Sequence, residues 1–220
     1  MKLIVLLAAL LITLPVHAAS TVVGRFSAGD LAGWTPETFR GKKQTLYTLV
    51  RDNDRTVLRA ESRQAASGLI RKVDLNPAES PVLRWSWKID HTLARENARS
   101  KEGDDFAARV YVIFPGTFFW QTRAINYVWS GKLPKGTVIP NAYTKNAMIV
   151  VVESGEERVR QWVGEERNIA QDYRKYFGDD PPRLGGVAVM TDTDNTGEEA
   201  VAWYGDLVLD TGPGSGRQAR

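Results

Sequence analysis

Period-two alternation of apolar and polar residues runs through most of the chain between Val22 and Leu209. No other feature restricts its fold as much. In a strand, successive side chains point to opposite faces, so an alternating segment buries one side and wets the other. The pattern predicts strands over Thr45–Val50, Thr56–Ser62, Gly68–Val73, Val82–Asp90, Asp105–Phe114, Ala124–Trp129, Ala147–Glu153, Gly186–Thr191 and Val201–Leu209. The turn formers Asp52-Asn53-Asp54 join the first two as a hairpin. Many short strands between loops rich in glycine, proline and asparagine predict a mainly all-β chain, an antiparallel β-sandwich or jelly roll. One interruption has helical spacing. Trp162, Ile169, Tyr173, Tyr176 and Phe177 fall near one face, predicting a single amphipathic helix from Trp162 to Phe177, stopped by Gly178 and Pro181-Pro182. Its aromatic stripe is expected to pack on a sheet.

The first 18 residues have the three-part layout of a secretory signal peptide: Lys2, an apolar run from Leu3 to Leu14, and Val16-His17-Ala18 before the cut. The run spans only about 18 Å as a helix, too short for a bilayer core of roughly 30 Å. No later stretch is long and apolar enough, so no stable membrane insertion is expected once the leader is cut. The expected location is periplasmic or secreted. Residues 19–210 are expected to form a single β-sandwich domain, and 211–220, low in apolar residues, a flexible tail. The chain has no cysteine, which excludes a disulfide framework, a thiolate metal site and a cysteine nucleophile. The formal net charge of +3 is interspersed, with no stripe suited to nucleic acid.

Strand phase identifies candidate binding residues. Leu83, Trp85, Trp87 and Ile89 share one face and read as core; Arg84, Ser86, Lys88 and Asp90 share the other. Phe106, Ala108, Val110, Val112 and Phe114 oppose Asp105, Arg109 and Tyr111. Val201, Trp203, Leu207 and Leu209 oppose Tyr204 and Asp206. Gathered on one sheet, Arg84, Asp105, Arg109, Tyr111, Tyr204 and Asp206 would form a charged aromatic surface for a hydroxyl-rich or anionic ligand. A solvated outer face with cross-strand ion pairs is the other reading. The segment Thr117–Tyr143 is rich in aromatics, among them Phe118, Phe119, Trp120, Trp129 and Tyr143. These either stack on sugar rings or fold back on a sheet edge.

Asp192-Thr193-Asp194-Asn195-Thr196-Gly197 matches the opening of a calcium loop, but the twelfth position is Trp203, so an EF-hand is excluded. No cofactor is required; a structural calcium at Asp192 and Asp194 is the one metal site the sequence offers, and turn chemistry also explains the segment. His91 is the only histidine after the leader, so neither a Ser–His–Asp order nor a multi-histidine metal set can be assembled. Phosphate-binding loops and G-x-S-x-G are absent. Adjacent acids such as Asp104/Asp105 and Glu165/Glu166 point oppositely on a strand and form no catalytic pair by spacing alone.

Taken together, Leu83–Asp90, Gly103–Phe114, Asn126–Trp129, Lys135–Thr144, Thr191–Gly197 and Ala202–Leu207 resemble a bacterial secreted family, domain of unknown function three-zero-four-seven, over roughly Gly24 to Leu209. The resemblance implies no catalytic residues. Phe26–Trp34 and Trp203–Asp206 are also similar to sugar-binding jelly-roll modules, which concerns architecture. The expected function is non-catalytic binding of a glycan or another envelope component. The alternatives are a polysaccharide hydrolase or lyase using Asp105 or a glutamate of the helix, and an envelope structural or protein-interaction module.

Overall fold

A computed structural model describes residues 20–210; the expected leader and tail lie outside them. Two seven-stranded sheets face each other. Sheet I runs in the spatial order β1 (Thr21–Gly24), β14 (Leu207–Asp210), β6 (Val82–Ile89), β13 (Glu199–Tyr204), β4 (Arg55–Arg63) and β3 (Leu46–Asp52), with β11 (Val163–Asn168) also paired to β6. Sheet II runs β2 (Trp34–Thr38), β5 (Ser67–Leu75), β12 (Leu184–Met190), β7 (Ala108–Phe114), β8 (Arg123–Ser130), β10 (Ala147–Ser154) and β9 (Val138–Pro140). The result is a β-sandwich of the jelly-roll kind with one helix, α1 (Ile169–Phe177). The ladders are antiparallel except β8 with β10, which is parallel. The expected hairpin joins β3 to β4, with Asn53 in the left-handed region at φ 56°.

The core is aromatic, as the phase of β6 requires. Trp85 stacks on Tyr127 of sheet II at 5.4 Å, and Trp87 lies 6.1 Å from Trp129. Burying each such ring rather than exposing it contributes about 1.5–3 kcal/mol, which fixes how the two sheets register. A second apolar cluster lies on the outer side of sheet II, where Phe106 packs with Val128, Ile149, Val151 and Ile139 of β9.

Several expectations need correction. Val163–Asn168 is strand, so the helix begins only at Ile169, capped by Asn168 accepting from the Gln171 amide. Trp162 is not on the helix: its ring lies against Arg55 and Lys88. Glu165 and Glu166 are therefore strand residues. The last expected strand is two, broken at Gly205-Asp206, where the backbone passes so close to Ser86 Oγ that a Cβ on Gly205 would clash. That break shifts the phase by one. Ala200, Ala202 and Tyr204 face inward before it, and Leu207 and Leu209 after it, while Trp203 faces out under Lys88. Phe106 precedes β7 and packs with the outer cluster instead of the central core. Strands β1, β2, β9 and β11 were not foreseen.

Candidate functional site

The outer face of β7 carries Arg109 and Tyr111, because Val110 and Val112 point into the sandwich. Met190 of β12 pairs with Arg109 beside them. Four segments close over this end of sheet II and border a pocket of about 300 Å³. The segment before β7 brings Asp104, the β2–β3 loop brings Phe39 and Lys42, and the β9–β10 loop brings Asn141 and Tyr143. The β12–β13 loop brings Asp192, Asp194 and Asn195.

Arg109 is the buried hub, 2% exposed. Its Nε donates to Asp192 Oδ1 at 2.7 Å, and Nη2 donates to Asp192 Oδ2 and to the Asp104 carbonyl. Nη1 donates to Asp104 Oδ1 at 3.2 Å and reaches the Tyr111 hydroxyl at 3.4 Å. The guanidinium also lies over the Phe106 ring. A buried charge is tolerable only when its donors are satisfied in this way. Asp104 Oδ2 in turn accepts from Asn141 Nδ2 at 2.6 Å, which holds the β9–β10 loop. Asp105 is fully buried and works from below: it accepts from the Thr196 amide at 2.6 Å and from Asn195 Nδ2 at 3.0 Å, fixing the β12–β13 loop. Tyr204 crosses the sandwich from sheet I. Its hydroxyl donates to the Met190 carbonyl at 2.6 Å and accepts from the Arg109 amide at 3.3 Å.

At the opening, Lys42 pairs with Asp194, and the half-exposed Tyr143 hydroxyl lies 3.1 Å from Asn195 Oδ1. Burial pushes the Asp192 carboxyl up to about 7 against the pull of Arg109, and the Tyr111 hydroxyl up to about 12. The Asp194 hydrogen bond raises Lys42, which keeps it cationic.

The six expected ligand residues are not on one sheet. Arg109 and Tyr111 line this pocket; Asp105 and Tyr204 support it from beneath. Arg84 and Asp206 lie on sheet I, beside a separate concavity, where Arg84 pairs with Glu166 and Asp210, and Asp206 holds Ser27. The two expected metal residues do come together. Asp192 and Asp194, joined by Asp105, each offer a carboxylate oxygen within 4.8 Å of the others. A hard cation wants six to eight oxygens. Here both oxygens of Asp105 and of Asp192 already accept protein donors, and Asp194 holds Lys42. Among the described residues, no helix is long and apolar enough to cross a membrane.

Fold and pocket together define a class: a β-sandwich presenting a compact, aromatic-edged cavity of mixed polar and apolar lining on the outer face of one sheet. The chain belongs to the family described as protein of unknown function (DUF3047), whose model matches residues 32–208. No curated protein matches the sequence. Similar solved structures include the family 11 carbohydrate-binding module of a cellulosomal cellulase of Clostridium thermocellum, at 8% identity and TM-score 0.48, covering 88% of this chain and 95% of that one. A family 30 carbohydrate-binding module of another cellulase of that organism has 11% identity and TM-score 0.45, covering 87% and 93%. A family 29 module complexed with mannohexaose has 13% identity and TM-score 0.44, covering 90% and 94%.

Proposed function

We propose that the protein is a non-catalytic binding protein of the cell envelope, exported through its Met1–Ala18 leader, and that the pocket over β12 and β7 holds a glycan. One observation carries this reading: the pocket sets ring surface beside pre-positioned hydroxyl-binding groups. Tyr143 and Phe39 supply the rings; Asn141, Asn195, Asp194 and Lys42 supply donors and acceptors. A sugar has an apolar C–H face and a hydroxyl edge, so it needs both at once. Asp104, held by Arg109, fixes Asn141, and Asp105 fixes Asn195 before a ligand arrives, which lowers the ordering cost of binding.

Holding is favoured over turnover because Asp104 and Asp192 are both spent on the same guanidinium and Asp105 on loop donors. The polysaccharide hydrolase is kept as the second reading on one observation, the Asp192 and Asp194 carboxylates within 4.8 Å of each other. The test is a glycan array with the purified protein, then calorimetric titration of the best glycan. Tyr143→Ala should weaken binding about tenfold, the loss of one stacking contact of about 1.4 kcal/mol. Unchanged affinity would remove the ligand from this pocket. Release of reducing ends from the bound glycan, lost in Asp192→Asn, would establish the hydrolase instead.

A further inference from the structure

The loop between β7 and β8 leaves three large apolar side chains in water: Phe118 is 52% exposed, Phe119 84% and Trp120 59%. They are not a floppy tip. The Gln121 amide donates to the Phe118 carbonyl, the Phe118 amide donates to Gln121 Oε1, and Asn146 Nδ2 donates to the Trp120 carbonyl at 2.6 Å. Gly116 permits this tightness, since a Cβ there would lie 2.4 Å from the Gln121 Cβ. Phe118 stacks on Trp120 at 4.7 Å and 3° between planes, and Phe119 meets Trp120 edge-on. A rigid aromatic platform has thus been kept exposed, against the hydrophobic gain of burying it.

Trp120 also forms one wall of a concavity of about 510 Å³ beside α1. Gln121, Arg123, Asn146, Asp179 and Asp180 give it a polar rim, beside Phe114, Pro115, Tyr173 and Pro182. Arg123 is held by the Tyr173 hydroxyl and by Asp179. The pocket described above reaches Tyr111, and this loop follows Phe114, roughly 10 Å away along β7 at about 3.4 Å per residue.

We propose that Trp120 and this concavity form a second carbohydrate-binding subsite, in which a sugar ring packs on the indole and its hydroxyls meet Gln121, Asn146 and Asp179. The inference rests on the glycan reading of the first pocket. With Phe118 stacked on the indole and Phe119 edge-on to it, Trp120 still lines the concavity, whose rim carries hydrogen-bonding groups, the pairing of ring and polar rim that a pyranose takes. A bilayer fits the rim less well. Asp179 and Asp180, whose side chains are 60% and 84% exposed, would be carried into an anionic headgroup layer.

The test compares the full protein with Trp120→Ala, Tyr143→Ala and the double variant. Affinity electrophoresis in mixed-linkage β-glucan, galactomannan, dextran and soluble peptidoglycan supplies the glycan probes; flotation with phosphatidylethanolamine–phosphatidylglycerol vesicles supplies the membrane probe. Trp120 is exposed, so its variant should melt with the wild type. The proposal expects a polysaccharide retained by the wild type to bind Trp120→Ala at least fivefold more weakly, and the double variant not at all. Wild-type retention of Trp120→Ala on every glycan, wild-type failure on all four, or loss of vesicle binding alone in Trp120→Ala would each overturn it. Loss in Tyr143→Ala without loss in Trp120→Ala would remove only this second subsite. The reverse result would keep it and remove the first pocket.

Discussion

Arg109 shows how one side chain organises the site without facing outward. Its alternation phase placed it opposite Val110 and Val112, and that much is visible in sequence. Its partners Asp104 and Asp192 are five and 83 residues away, and the second distance is set by sheet order alone. Arg109→Ala strands two buried carboxylates, so urea unfolding should show a loss of about 3–5 kcal/mol. A loss below about 1 kcal/mol would mean that the network is not structural. Asn126, buried on the same face in register with Tyr111, finds no protein partner for either amide atom. Asn126→Leu, similar in shape, should therefore gain about 1–2 kcal/mol; a loss would show that its amide is used. At the carboxylate trio, Arg109 and Lys42 already supply the positive charge. Melting curves in EDTA and in millimolar calcium should overlay. A calcium-dependent rise that disappears in Asp194→Ala would instead establish a metal site.

At the level of elements, ten of the fourteen strands lie where alternation places strand, because both sheets bury one face. The misses have specific causes. β2 and β9 are short sheet-edge strands with too few residues to show a period. In β11, Val163, Glu165 and Arg167 share the inward side, so a buried face carries charge and imitates a helix. The β13–β14 break is invisible because Gly205-Asp206 restores an apolar rhythm one step out of phase. Gly205→Ala should cost about 1–3 kcal/mol by overpacking on Ser86, and adding Ser86→Ala should recover part of it; no recovery would place the strain elsewhere. Burial pushes the Glu165 carboxyl up to about 7 from an ordinary 4.5, and one of its oxygens has no partner. The folded state thus holds this proton more tightly than the unfolded chain. Its stabilising contribution is full below about pH 4.5 and is lost as pH rises through 7. Glu165→Gln should gain on the wild type over that window in urea titrations, and a pH-independent difference would contradict the shift.

For the whole molecule, the legible part was the layer and the illegible part was the neighbourhood. Composition and alternation specify a two-sheet sandwich, since apolar faces of that number must be buried against one another. They do not specify which strands are adjacent. Arg84 and Asp206 share the outward phase of Arg109 yet sit on the other sheet, and Lys42, Asn141 and Tyr143 reach the pocket on loops with no periodic signal. The motifs that did point there, Asp104-Asp105 and Asp192–Gly197, work as scaffolding that holds the loops around the cavity. On the proposed reading, this scaffolding holds a glycan in the Tyr143 pocket. Nitrogen-15 correlation spectra during titration with the best glycan from the array test it most directly. The side-chain amides of Asn141 and Asn195 should shift in proportion to occupancy. Saturable shifts elsewhere with those two signals unmoved, or no shift with any glycan, would contradict it.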